Sequence, residues 1–407
     1  MPDSITLEQL QTAQNNFINQ RTAEINQLKT DNAAALAALE ALSQRVYGYE
    51  HDSFAVKDIN VVYNDIIDNN SELADLSAIG FVAVLKEGET VSRQGNRMFL
   101  NGAEEVEDYT FSPSDEENIA EFVTVWYFSN NGALNFAVNN FNMLQFCIVK
   151  SNDDNSTISI GAGNINHAKE LILKNYAPST SYNVEKVVAD DFINGLLLSG
   201  IPLTNTTRRF SSNVKKLKDC GDMFKNKTAL ELIDFPELEY IEITGRQMYN
   251  LFHISSNAEL NFPKLKHIDV YFHGDYGMIQ NCQKVILPET LEYVNLSGGK
   301  ICYGIKQKVV LNCKNLESMP NGWYKGTPPP ELEIADDWAC SIDLSIVAPN
   351  EVGSKWLDKD TWTDLFENTL RNMDDDVREI KIPSVIYDEL TDGEFEIAED
   401  KGWTIGC

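Results

Sequence analysis

Tyr271, Phe272, His273 and Tyr276 crowd into six residues behind the run HIDV, and no other group in this sequence is better suited to touching a ligand. Aromatic faces stack on sugar rings and on cations, so these four are the predicted ligand-binding residues. The competing reading is core or turn packing. Little else carries chemistry. The five histidines (His51, His167, His253, His267, His273) are scattered, with no HExxH pair, and GxSxG and GxGxxG are absent. Ser297-Gly298-Gly299-Lys300 lacks the first glycine of a phosphate loop. Asp374-Asp375-Asp376 could attract a divalent cation, but such a run at a helix exit is more often solvated. With 62 acidic residues some carboxylates fall close together by chance, so spacing nominates no glycosidase pair. The sequence predicts no catalytic residue, no metal and no cofactor: a protein that is not an enzyme.

The net charge of -29 argues against binding nucleic acid through its phosphates and against docking on anionic lipid. The start, MPDSITLEQLQ, shows no basic and apolar signal pattern, and no stretch reaches the roughly 18 apolar residues of a membrane span. Seven cysteines without a CxxC pair read as reduced, mostly buried thiols of a protein folded in cytoplasm.

Four elements would have to position these residues, and together they give an α+β chain. Residues 1–49 read as a coiled-coil helix for oligomerisation or attachment. Thr6 and Gln9 form a capping box, and Ile18, Ile25, Leu28, Asn32, Ala35, Leu39, Leu42 and Val46 occupy a and d positions of a heptad. A homo-oligomer follows, with a trimer as first choice and an amphipathic helix folded back on its own domain as the alternative. Residues 50–205 read as a mixed α/β adaptor. Turns are expected at Glu87-Gly88, Asn101-Gly102 and Asn130-Asn131-Gly132, and helices over Ile165–Ala177 and Val184–Gly200.

Residues 206–350 read as a repeat solenoid. PELEYIEI, PKLKHIDV and PETLEYVNL recur, with a degenerate copy at NCKNLESMP. The leading leucines Leu238, Leu265, Leu291 and Leu316 lie 27, 26 and 25 residues apart. One such unit cannot bury its apolar face alone, so stacking is required. The preceding segments DMFKNKTAL, MIQNCQKVIL and VVLNCKNL resemble those of BspA-like leucine-rich repeats. That resemblance implies a ladder of Asn226, Asn281, Cys282, Asn312 and Cys313.

Residues 351–407 read as the solenoid cap, built of two helices. Asp358 caps the first. Thr391 caps the second with Glu394 as its box partner, and Gly402 ends it in left-handed conformation. The ending at Leu390, Thr391, Glu394, Ile397, Ala398, Lys401, Gly402, Trp403 and Thr404 resembles that of repeat domains in phage virion proteins and host-associated surface proteins. The resemblance implies a fibre or appendage-type virion component, assembled in host cytoplasm. Such a component would join other virion proteins through its N-terminal helix and expose a leucine-rich-repeat surface to a host glycan or protein. A bacterial leucine-rich-repeat surface adhesin is the alternative, and a polysaccharide-degrading tail protein a third.

Overall fold

A computed structural model describes residues 21, 58–113, 120–129, 133–136, 142–152, 157–160, 168–179, 182–190, 198, 200–218, 223–248, 251–254, 257–272, 277–297, 299–348, 354–373 and 376–407. A thirteen-stranded sheet runs through them. One end is antiparallel: Ala78–Lys86 lies between Ala120–Phe128 and Asn142–Val149, and Arg97–Leu100 joins Ala120–Phe128 to the edge strand Ala103–Glu105. Asn101 and Gly102, with φ of 52° and 94°, make the two-residue turn between Leu100 and Ala103, as their residue types favour. From Asn142–Val149 onward every added strand is parallel: Glu170–Lys174, Lys186–Asp190, Arg209–Ser212, Leu232–Asp234, Glu259–Asn261, Lys284–Leu287, Lys308–Leu311 and Glu331–Ile334.

The strand Ala78–Lys86 is buried on both faces. Ile79, Phe81, Ala83 and Leu85 face the main core, while Ala78 and Val82 lie under the helix Ile59–Asn69. That helix turns Ile59, Val62 and Ile66 onto the sheet, and Trp126 Nε1 donates to its first carbonyl, Ile59 O, at 3.2 Å. Gly80 gives the indole its seat, since a Cβ there would lie 2.6 Å from the Trp126 ring.

The parallel strands form one wall of a solenoid whose turns also build two smaller sheets. The second sheet holds Lys216–Leu217, Tyr240–Met248, His267–Phe272 and Tyr293–Ser297. The third holds Phe252–His253, Gly277–Gln280, Lys300–Tyr303 and Tyr324–Lys325. Both are parallel throughout. Leu238, Leu265, Leu291 and Leu316 are buried inside, beside a file of touching rings, Phe210, Phe224, Phe235 and Phe252.

This architecture corrects the α+β expectation. The described chain is mostly β, and its longest complete helix, Ile59–Asn69, has 11 residues. A leucine-rich repeat places one strand per unit opposite a helix or 3-10 segment, whereas three successive turns here, from Leu232 to Tyr303, each feed three sheets. The segments read as helices over Ile165–Ala177 and Val184–Gly200 instead hold the strands Glu170–Lys174 and Lys186–Asp190. Their alternate residues Leu171, Leu173, Val187 and Ala189 face the main core, while Ile172 and Val188 pack in the layer beneath the helix Ile59–Asn69. Strands with apolar residues on both faces lose the period-two signal and imitate helix. The predicted coiled-coil positions Ile18, Ile25, Leu28, Asn32, Ala35, Leu39, Leu42 and Val46 lie outside the described residues.

The C-terminal segment is likewise more than two helices. Ile342–Asp343, Arg378–Lys381 and Trp403–Gly406 form a parallel sheet, flanked by the short helices Lys359–Asp364, Ser384–Tyr387 and Asp392–Glu399. Each residue of its Lys-Gly-Trp motif has a physical task. Lys401 Nζ donates to Glu367 O and Leu370 O at 2.6 and 3.0 Å. Gly402 holds φ 81°, where a Cβ would meet Met373 O at 2.5 Å. Trp403 is buried, and its Nε1 donates to Arg371 O at 2.8 Å.

Two outcomes are expected. Gly80→Ala drives a methyl into the Trp126 ring and should lower the unfolding free energy by about 1–3 kcal/mol, read by guanidinium titration. Glu394 accepts from the Thr391 N–H at 2.7 Å and pairs with Lys359, and these contacts pull its carboxyl from 4.5 down to about 2. A carboxylate depressed in the folded state adds stability above its ordinary range and loses it as pH falls toward 2. Glu394→Gln should therefore flatten the fall in melting temperature between pH 4.5 and about 2.

Candidate functional site

Side chains alternate across a strand, so turning Ile241, Ile268 and the partly buried Val294 into the solenoid turns the residues before them outward. In the second sheet those residues are Tyr240, His267 and Tyr293, which the pairing places side by side. His267 and Tyr293 stack with centroids 4.3 Å apart and planes 12° from parallel, and Tyr240 leans on His267 at 5.9 Å. The two tyrosines remain 39% and 45% exposed, far more than any buried ring of the core. Cross-strand aromatic pairs are worth about 0.2–1 kcal/mol each, so the row also supports the sheet.

Two residues further along each strand lies a second row, Glu242, Asp269 and Asn295. Asn295 Nδ2 donates to Asp269 Oδ1 at 3.0 Å, and Lys216 pairs with Glu242. The hydrogen bond from Lys216 holds the Glu242 carboxyl below its usual range. On the near side, Lys264 pairs with Glu237 at 2.6 Å and Lys266 with Glu239 at 3.0 Å. The face therefore offers aromatic rings bordered by carboxylates and an amide, with these lysines tied into pairs. Rings suit the C–H face of a sugar, and the oxygens suit its hydroxyls.

The four residues that the sequence nominates, Tyr271, Phe272, His273 and Tyr276, are not members of this row. Tyr271 and Phe272 end the strand His267–Phe272, paired through their backbones with Ser297 and Met248, while His273 and Tyr276 lie outside the described residues. Tyr240, His267 and Tyr293 are not among the residues that the sequence nominates. Their signal was present: each follows a repeat leucine by two places, in Leu-Glu-Tyr-Ile, Leu-Lys-His-Ile and Leu-Glu-Tyr-Val.

The positions implied by the BspA-like resemblance serve turns and core. Asn226 and Asn281 adopt φ of 59° and 56°, and the Cys282 thiol donates weakly to Lys284 O at 3.5 Å. Cys282, Cys302, Cys313 and Cys340 are buried and form no disulfide. Burial pushes the thiols of Cys282 and Cys313 up to about 12 and raises those of Cys302 and Cys340 as well. Among the described residues no group of three His, Cys, Asp or Glu side chains could hold a metal ion, and no helix is long and apolar enough to cross a membrane. Asp374 and Asp375 lie outside the described residues.

No family model matches the chain, and no curated protein or solved structure matches it.

The thiol environments give a direct expectation. Brief iodoacetamide treatment near neutral pH should alkylate the exposed Cys407 and spare Cys282, Cys302, Cys313 and Cys340, as read by peptide mass spectrometry. Labelling of any of those four before unfolding would contradict the packing described.

Proposed function

We propose that this chain is a non-catalytic binding protein, an adhesion component of a phage particle, and that the aromatic row of the second sheet contacts a host-surface glycan. The observation that carries the binding reading is the row Tyr240, His267 and Tyr293, with both tyrosines exposed and Tyr293 stacked on His267, bordered by Glu242, Asp269 and Asn295. An exposed ring costs solubility and is most useful where a ligand covers it. A solenoid suits the task because its stacked turns hold side chains from distant sequence at fixed spacing on a rigid wall. The phage assignment is supported by the resemblance of the ending at Lys401, Gly402 and Trp403. Host-associated surface proteins share that ending, so a bacterial surface adhesin is the second reading it favours.

The test is retention of the full chain on immobilised host-surface polysaccharide. Tyr240→Ala with Tyr293→Ala is expected to weaken binding by about tenfold or more, an interaction of about 1.4 kcal/mol, with a cooperative melting transition retained at a slightly lower temperature. A reducing-end assay that showed turnover of the polysaccharide would overturn the non-catalytic reading.

A further inference from the structure

We infer that the bound glycan seats an uncharged pyranose ring on the open face of Tyr293, in a recess where the second sheet stops. This rests on the glycan-binding reading and adds a place and a ligand class to it.

The second sheet ends at Tyr293–Ser297. The other two walls go further, the first through Lys308–Leu311 and Glu331–Ile334 and the third to Tyr324–Lys325. The chain does lay down another turn beside Tyr293. Asn312 N donates to Leu287 O at 2.8 Å, Lys314 pairs with Glu289 at 3.5 Å, and Leu316 is buried as Leu291 is. All three pairs keep one offset, which sets Ser318 opposite Tyr293. Yet Ser318 bridges forward to Ser341 and not back to the strand of Tyr293. The wall is interrupted at that point.

The interruption shows in the packing. Ile241, Ile268 and Val270, facing inward from the earlier strands, are 0–1% exposed, whereas Val294 and Leu296 on the last strand are only partly buried. His267 covers one face of Tyr293. The other looks toward the position of Ser318, a small and exposed side chain. The recess thus has an aromatic wall, a partly apolar floor of Val294 and Leu296, and the exposed polar groups of Asn295 and Ser318. Tyr240 has no equivalent, because Lys216 follows it in the row and is held there by Glu242.

A pyranose has an apolar C–H face and a rim of hydroxyls, which fits a ring beside hydroxyl, amide and carboxylate groups. The charge is decided by the surroundings. Glu292 and Glu317 are exposed on the two turns that bound the recess. Lys266 and Lys314 are each held by a carboxylate, and Arg378 by two, Glu317 at 4.0 Å and Asp376 at 3.3 Å. A uronate, sialate, sulfate or phosphate would meet acidic neighbours with its natural counter-ions already engaged.

The experiment is an immobilised glycan panel of neutral hexose and N-acetylhexosamine oligosaccharides beside sialylated, uronic and sulfated ones, probed with the full chain. The expected result is retention on neutral members. Tyr293→Ala and the recess-filling Ser318→Tyr should each weaken it by about tenfold, and Tyr240→Ala by less than about threefold. A retained cooperative melting transition shows that each variant is folded. Equal losses for Tyr240→Ala and Tyr293→Ala, with Ser318→Tyr silent, would overturn the recess while leaving glycan binding intact. Preference for acidic glycans would overturn the ligand class. Capture of extended peptides by the open edge of Tyr293–Ser297, with no glycan retained, would overturn both this inference and the reading beneath it.

Discussion

A strand of three to five residues presents one to three side chains to the interior, too few to exclude water by themselves. Everything else in this chain answers that shortage. Leu238, Leu265, Leu291 and Leu316 shield one another because each turn lies on the next, and the interior is contiguous from Ile79 to Ile405. The turns cannot be ranked as separate folding units, since removing one strips the cover from two neighbours. The antiparallel strands at one end supply the first lid: Asn142–Val149 has an antiparallel partner on one side and a parallel one on the other, so the stack begins on an edge that is already satisfied.

The acidic composition is handled by pairing between adjacent turns. Glu170 meets Lys186, Glu231 meets Arg208, Glu259 meets Lys284, and Lys308 meets both Glu331 and Glu333. Such exposed pairs contribute about 0–1 kcal/mol apiece, so they are not what holds the stack together. Their larger effect is on register. Slipping a strand by one residue would turn Leu260 or Val285 to water and bring charges inward, and the pairs penalise the same slip from outside.

Local chemistry was legible in the sequence wherever one residue type has one cheap conformation. The Asn101-Gly102 turn, the Thr391–Glu394 box and the left-handed Gly402 were readable for that reason. The spacing of the repeat leucines was readable because a stack demands a period. The three-walled architecture was not, since Phe252–His253 and Tyr324–Lys325 are two residues long and leave no pattern that a window could detect. Glu170–Lys174 and Lys186–Asp190 were misread because Ile172 and Val188 pack in the layer beneath the helix Ile59–Asn69, a contact across more than a hundred residues. The aromatic row was hidden differently. Tyr240, His267 and Tyr293 are distant in sequence and ordinary in type, and only the register makes them neighbours.

Successive turns do not use equal lengths of chain. Along the first wall the step from Leu232 to Glu259 takes 27 residues, from Glu259 to Lys284 25, from Lys284 to Lys308 24, and from Lys308 to Glu331 23. Along the third, Phe252 to Ile279 takes 27, Ile279 to Cys302 23, and Cys302 to Tyr324 22. The earlier step, from Arg209 to Leu232, takes 23 and still feeds the second sheet at Lys216–Leu217. The winding therefore widens after Leu232 and narrows again, and the narrowing runs through the turn where the second sheet ends, at Tyr293–Ser297.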